Sequence, residues 1–525
     1  MKRNHRRITL LILSLSILLL VAFVAACYLL PARLIGLIRD RTSQIARERF
    51  HADVQFGTFD ITLTFPRLVI LAENVALSRR NDRGTYTLIF VRKLAVDADL
   101  LQFFRTPAHV RRVQLEGMNI HVPPRGERGA RQPATPVKER YPLIVDHVEC
   151  NECQLNLLPR QPDKEPLEFA IHHLMMQKVG LGRSAPYQAT LTNAVPRGEI
   201  DVRGEFGPWQ PDEPSLTSLS GNYVFKHADL NPFPGIAGTL DSKGRFEGLL
   251  ERIVADGETT TPDFALDVSD HPVPLNTQFH AIIDGTSGDT ALDPVNAQFL
   301  NSHILAHGGV FGVPGKKGKA VLLDVVVDPG RLEDMLYLGV KSHVPAMTGN
   351  LKFRTKLAIP PGKEKISDRL KLDGQFVSTS TRPTSLATQE KLKQLSRKAE
   401  GKPKDPTAGT DLFDLKGRFI LSYGDANFPS LNFSIPGAKL DLKGKYQLHS
   451  EDLNFFGTLH LSASLSHTVT GVKSFFLKAV DPFFKDKNGG SALPIKITGR
   501  REKPEFGLAF HQPKEQLKNR KESGD

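Results

Sequence analysis

Apolar and polar residues alternate along most of the chain, and a glycine recurs on the apolar row two places before an aromatic or aliphatic residue. The pattern stands at Val202/Gly204/Phe206, Leu219/Gly221/Tyr223, Leu372/Gly374/Phe376, Leu415/Gly417/Phe419, Leu442/Gly444/Tyr446 and Phe455/Gly457/Leu459. Residues 439–448 are the clearest case, with Leu440, Leu442, Tyr446 and Leu448 on one parity and Lys439, Asp441, Lys443, Lys445 and Gln447 on the other. Period two means a strand with one apolar and one wet face. Glycine on the apolar row lets a sheet bend or another chain come close. A long series of such strands predicts a mainly β fold, an elongated, curved antiparallel sheet whose concave face is apolar and can hold something oily. Roughly twenty strands about 4.8 Å apart would extend on the order of 100 Å.

The first strands are expected at Val54–Phe65, Val69–Leu77, Thr85–Phe90, Lys93–Leu100 and Val113–Val122. Residues 123–140 are rich in Pro, Gly and Arg and read as a flexible loop, and a central β-groove is expected over 141–384. At 385–410 the period changes: Leu392 and Leu395 stand among Lys391, Lys393, Arg397 and Lys398, which predicts a short basic helix and then a loop. Such a helix docks on a membrane or an acidic partner, or presents a solvated charged face, the commoner case. Strands resume over 411–510, where Leu453, Phe455, Gly457, Leu459, Leu461, Ala463 and Leu465 share a face, and 511–525 is a polar tail. Ser474–Phe484 reads as a small amphipathic element able to cover the sheet's end.

The period-two pattern is absent from the N-terminus. Residues 8–30 carry no charge, and at about 1.5 Å per residue they extend roughly 34 Å, enough for a transmembrane helix. Lys2, Arg3, Arg6 and Arg7 in residues 1–7 then place the N-terminus in the cytoplasm and the bulk of the chain on the far side. A cleaved signal peptide has a shorter apolar region, typically about 7–15 residues. Val24-Ala-Ala-Cys27 resembles a lipobox, yet Tyr28-Leu29-Leu30 continues the apolar run past Cys27, which favours an uncleaved single-pass anchor. Beyond it Leu34, Ile35, Ile38 and Ile45 fall near one side of a helix.

Charge adds a constraint. The net charge is +12, but residues 1–49 hold nine Lys/Arg against Asp40 and Glu48, so most of the excess flanks the anchor, where anionic lipid headgroups attract it. With no nucleic-acid-binding motif and Trp209 as the sole tryptophan, a nucleic-acid partner is not expected.

Several segments together resemble the AsmA family of bacterial envelope proteins, which are related to TamB and to chorein-type bridge-like lipid-transfer proteins. They are the anchor, Lys93-Leu-Ala-Val-Asp-Ala-Asp-Leu-Leu, Val110-Arg-Arg-Val-Gln-Leu-Glu-Gly-Met-Asn-Ile, Gly471-Val-Lys-Ser-Phe-Phe-Leu-Lys-Ala-Val-Asp-Pro-Phe-Phe-Lys, Leu493-Pro-Ile-Lys-Ile-Thr-Gly and Pro504-Glu-Phe-Gly. The likeness is carried by an N-terminal region, 31–122, and a C-terminal one, 411–510. It implies an inner-membrane anchor, a periplasmic β-groove, and a role in moving phospholipid toward the outer membrane or maintaining that membrane. The residues expected to line the groove near its end are Leu440, Leu442, Tyr446, Leu448, Phe455, Leu459 and Leu461. An ordinary sandwich core filled by its own side chains is the plainer reading of the same rows. As an alternative function, a periplasmic scaffold or outer-membrane assembly factor would bind envelope proteins instead of lipid.

Candidate chemistry is thin. Cys150-Asn-Glu-Cys153, with His147 before it and His172-His173 after, admits a disulfide, two free thiols, or a redox or metal site. Asp284, Asp289 and Asp293 around Gly285 and Gly288 lack EF-hand spacing and read as a hairpin turn. No G-x-S-x-G elbow, H-E-x-x-H helix or phosphate loop occurs, so no enzyme, metal or cofactor is expected.

Overall fold

In the computed structural model the described residues run from 52 to 509 apart from 82–83, 104–106, 123–142, 158–166, 181, 194, 211–213, 270, 317, 463–490 and 502. Gly36, Asp40, Ser43, Gln44 and Arg47 are described as well, and all are helical. The expected anchor at 8–30, Cys27, the loop at 123–140, the amphipathic element at 474–484 and the tail at 511–525 lie outside the described residues. Among the described residues no helix is long and apolar enough to cross a membrane.

The fold is mainly β, as the alternation predicts, with few helices. Two compact units divide it. The first holds the described residues up to Ala228 with Lys243–Ala255 and Ile283–Gly288; the second holds Asp229–Ser242, Asp256–Ile282 and the described residues from Asp289 on.

The first unit contains β1 (Asp53–Gln55), β2 (Thr58–Thr64), β3 (Arg67–Asn81), β4 (Gly84–Asp99), helix α1 (Leu100–Phe103), β5 (Ala108–Val122), β6 (Leu143–Leu157), β7 (Leu167–Gly180), β8 (Ala185–Asn193) and β9 (Arg197–Phe206). β1 and β2 each pair antiparallel with β3, and from β3 on successive strands pair antiparallel except β5 and β6, which run parallel from Ala108↔Leu143 to Val122↔Leu157. The all-antiparallel expectation is corrected here. A parallel pair needs a crossover of a dozen or more residues, and 123–142 supply that length. The expected strands Thr85–Phe90 and Lys93–Leu100 are a single strand, β4, whose register with β5 is unbroken, Arg92 and Gly117 alone lacking a bridge between Val91↔Met118 and Lys93↔Glu116. Arg92 reaches both Glu116 and Glu152 at 2.8 Å, tying three strands together there.

The chain continues through β10 (Ser218–Asp229), β11 (Ile236–Ala237), β12 (Thr239–Leu249), β13 (Arg252–Leu266) and β14 (Val273–Ile283). In the second unit follow β15 (Thr290–Phe299), β16 (Ser302–Gly312), β17 (Lys319–Arg331), helix α2 (Leu332–Gly339), β18 (Met347–Ile359), helix α3 (Ile366–Arg369), β19 (Lys371–Pro383), helix α4 (Leu386–Ala399), β20 (Phe413–Ser422), β21 (Asp425–Ile435), β22 (Ala438–Gln447), β23 (Asp452–Leu461), β24 (Ser491–Arg500) and β25 (Lys503–Leu508). From β15 to β25 every strand pairs antiparallel with the next, an up-and-down meander. Helix α4 matches the expected change of period at 385. Its Leu392 and Leu395 pack on a buried cluster of Ala399, Phe413, Ile435, Ala438 and Leu461, so the helix is seated on the sheet by its apolar side. Lys391 and Lys398 on the same helix are exposed and Lys393 half-buried.

Candidate functional site: the apolar face of the C-terminal meander

Register decides which residues share a face. Across β18, β19 and β20, Phe353 pairs with Phe376 and Phe376 with Gly417, while Thr355 pairs with Gly374 and Gly374 with Phe419. Across β21 to β24, Leu431 faces Leu442, Leu442 faces Gly457 and Gly457 faces Ile495; on the next row Phe433, Leu440, Leu459 and Leu493 line up. Because side chains alternate along each strand, all of these point to one side.

The recurrent glycines have a specific job here. Phe376 lies over Gly417, whose added Cβ would meet the ring at 3.0 Å, and Phe455 lies over Gly444, whose Cβ would meet Cδ1 at 2.8 Å. At Gly417 the ring fills the space a side chain would need, while at Gly444 the backbone of β23, the Asn454 carbonyl oxygen first, leaves no room for one. The rings then touch one another: Phe353 and Phe419 centroids are 5.5 Å apart, Phe419 and Phe428 6.4 Å, Phe428 and Phe455 5.7 Å. The aromatic line crosses β18 to β23.

Of the residues expected to line this face, Leu440, Leu442 and Tyr446 on β22 and Phe455, Leu459 and Leu461 on β23 fall on it together. Leu448 follows in the turn after β22, its amide donating to the Gly424 carbonyl at 2.9 Å. Their environments differ. Leu461 is buried and Leu459 packs against the cluster beneath α4, so the face is covered at that end. Phe455 is buried at 6% exposure over Gly444, while Leu440, Leu442 and Tyr446 stay half-buried. Burial, then the charge of Glu451, push the Tyr446 phenol above its ordinary value. Phe353, Phe376, Phe428 and Leu431 also belong to the face and are half-buried. They were missed among the site residues although the Gly374/Phe376 and Gly417/Phe419 repeats signal them.

The other candidate clusters separate into local interactions. Cys150 and Cys153, both buried, are joined by a disulfide with Cα atoms 6.3 Å apart, spanning the left-handed Glu152 within β6. The nearby histidines go elsewhere: His172 bonds Thr192 and His173 bonds Asn151, each at 2.7 Å. Asp284 accepts from Thr286 and Ser287 within a turn, and although burial pushes its carboxyl up, those donors hold it below the ordinary value. Asp289 accepts from Gly312 and Lys319, and Asp293 from His307. Among the described residues no group of three metal-ligating side chains is assembled.

No family model, curated protein or solved structure matches the chain.

Proposed function

We propose that this protein is a non-enzymatic, membrane-anchored envelope protein whose apolar sheet face carries the acyl chains of phospholipid between the inner and outer membranes, and so serves outer-membrane biogenesis. Residues 8–30 hold it in the inner membrane, and the body lies in the periplasm. The reading rests on one observation: Phe353, Phe376, Phe428, Leu431, Leu440 and Leu442, on β18, β19, β21 and β22, share a face and are half-buried although Phe419 and Phe455 among them are buried, whereas the facing rows of a sandwich core would be sealed throughout. The sequence resemblance to the AsmA family supports it independently.

Partition supplies the energetics. Each CH₂ kept out of water contributes about 0.8 kcal/mol, so acyl chains leave a bilayer only along a continuous apolar surface. Rows running from strand to strand offer such a surface, and a headgroup at the open side stays hydrated. The scaffold alternative would use a free sheet edge to take a partner's strand. Among the described residues β25 pairs with β24 alone, but Lys503 and Pro504 stand on it, and both residue types blunt an edge. The lipid reading is therefore preferred. Its test is native mass spectrometry with lipid extraction on the full chain purified in mild detergent. Stoichiometric phospholipid that survives detergent exchange is the expected result; a folded, lipid-free protein would overturn the reading in favour of the scaffold.

A further inference from the structure

The opposite face of the same strands carries a second feature. A cleft of about 490 Å³ opens over β17 to β21, its charged lining four cations, Lys352, Arg354, Lys416 and Arg418, and one carboxylate, Asp328. Register explains its chemistry. Arg354 pairs with Gln375 and Gln375 with Arg418; Lys352 pairs with Val377 and Val377 with Lys416. Four cations thus flank one strand, β19, two on each side. Neighbouring strands lie about 4.8 Å apart, so the flanking rows are roughly 10 Å apart at the backbone, a distance long basic side chains close over β19.

The cations are not all spent. Lys352 is held by Asp328 at 3.1 Å and Arg418 sits 3.4 Å from Asp373. Of the further carboxylates on this face, Asp324 on β17 stands in register with Lys356; Asp414, two places before Lys416 on β20, accepts from the Ser380 amide; and Asp441 on β22 is engaged by Asn432, Lys439 and His460. Arg354 and Lys416 have no ion-pair partner among the described residues, and they stand diagonally across β19. Gln375 adds a neutral hydrogen-bonding group between them and Ser430 another beside Arg418 on β21, and Val377, 45% exposed, gives the floor an apolar spot.

We propose that this cleft is a binding site for a phosphoryl anion. A tetrahedral phosphoryl group is compact, carries one to two negative charges and accepts from several directions at once, which matches cations converging from two flanks with a planar guanidinium among them. A carboxylate, planar and singly charged, engages one such fork and leaves the far flank unused. Beside the phosphoryl oxygens Val377 accommodates the carbon of an ester. The residues point away from the apolar row, so the site is independent of acyl-chain binding.

The probes are inorganic phosphate and glycerophosphoglycerol, a lipid headgroup without its acyl chains, titrated into the full chain in nonionic detergent with ³¹P line broadening as the readout. Binding of either is expected, falling as NaCl is raised. Phosphate alone assigns the site to the free anion; glycerophosphoglycerol alone assigns it to a headgroup. The double variant Arg354→Gln/Lys416→Gln should weaken binding at least about tenfold, since a charge-assisted bond is worth that factor or more. The control Lys443→Gln/Lys445→Gln removes the same charge from the same face on β22, outside the cleft, and should bind as wild type. The proposal is overturned if neither probe broadens, if the cleft variant binds normally, or if the control loses as much. Unchanged circular dichroism in the variants separates any loss from unfolding.

Discussion

Gly457 sits where a side chain has no room. A Cβ built there would collide with the Asp441 carbonyl oxygen and stand 2.9 Å from the Leu442 Cα, both on the adjacent strand β22. Backbone cannot step aside as a side-chain tip does, so Gly457→Ala is expected to lower stability by about 1–3 kcal/mol, seen as a fall in urea midpoint. Gly339, last in α2, has open space around its would-be Cβ. There the same change should be neutral or stabilising by up to about 1 kcal/mol, because alanine narrows the unfolded ensemble. Equal effects at both sites would show that glycine is chosen for flexibility and not for clearance. The repeat marks these glycines in the sequence, but it does not say what crosses them; that requires the register, which brings Phe376 to Gly417 and Phe455 to Gly444.

A charged residue makes a prediction of a different kind. Burial pushes the Asp97 carboxyl up, but hydrogen bonds and charge from Arg67 and Arg111 outweigh it and hold the group below its ordinary value. A carboxyl lowered in the folded state contributes stability that is fully present above its unfolded pKa, about 3.9, and is lost as pH falls through the folded value. The stability gap between wild type and Asp97→Asn should therefore hold steady from pH 7 to about pH 5 and shrink below about pH 4. A gap unchanged down to pH 2 in urea denaturation would show that the carboxylate is not what the two arginines stabilise.

At the scale of elements, α4 is the piece that closes the end of the apolar face. Leu392 and Leu395 pack over Phe413, Ile435 and Leu461, and Ala399 at the helix end is fully buried. Beside it Gly437, at φ 81°, admits the helix so closely that an added Cβ would stand 2.7 Å from the Ala399 carbonyl carbon. Replacing both leucines by serine is expected to cost about 2–4 kcal/mol and to raise amide hydrogen exchange through Leu386–Ala399 well above that of β22. Uniform exchange across both elements would mean the helix and sheet open together. The helix itself was readable from its change of period, and its docking less so, since four basic side chains and three leucines on one short helix describe a solvated and a seated surface equally. Strand existence was readable for the same reason that strand direction was not. Period two is common to parallel and antiparallel ladders, so nothing in 108–122 or 143–157 distinguishes the parallel pairing they adopt. Arg92 and Lys93 show the other limit: two consecutive charges interrupt the apparent period and make β4 read as two strands, although its register with β5 runs straight through them.

Over the C-terminal unit as a whole, the two faces of the meander are chemically opposite, and this makes the lipid reading separable from general stability. The apolar row was largely evident from alternation near 440, because its members sit close in sequence; the cation cluster was not, because Arg354 and Lys416 are brought together only by the pairing of β18 and β20 with β19. Leu442 and Lys443 are neighbours on β22 that point to opposite sides, Leu442 half-buried and Lys443 exposed. An aspartate at 442 places a charge among Leu431, Gly457 and Ile495, where an acyl chain would have to pass and where no cation stands in register. Ions in apolar surroundings cost several kcal/mol unless water stays with them, and water retained at 442 breaks the continuity that acyl transfer needs. Leu442→Asp should therefore lose most of the copurifying phospholipid while the protein stays folded, because the side chain it replaces was not sealed in a core. Lys443→Asp, a larger change in charge, should leave lipid occupancy intact. Phe455 is the poorer target despite lying on the same row: it covers Gly444, and charging it would unsettle the sheet before it tested the ligand. Equal lipid occupancy in Leu442→Asp and wild type, measured by extraction and mass spectrometry on folded protein, would remove the apolar face of β21 to β24 from the path of the lipid.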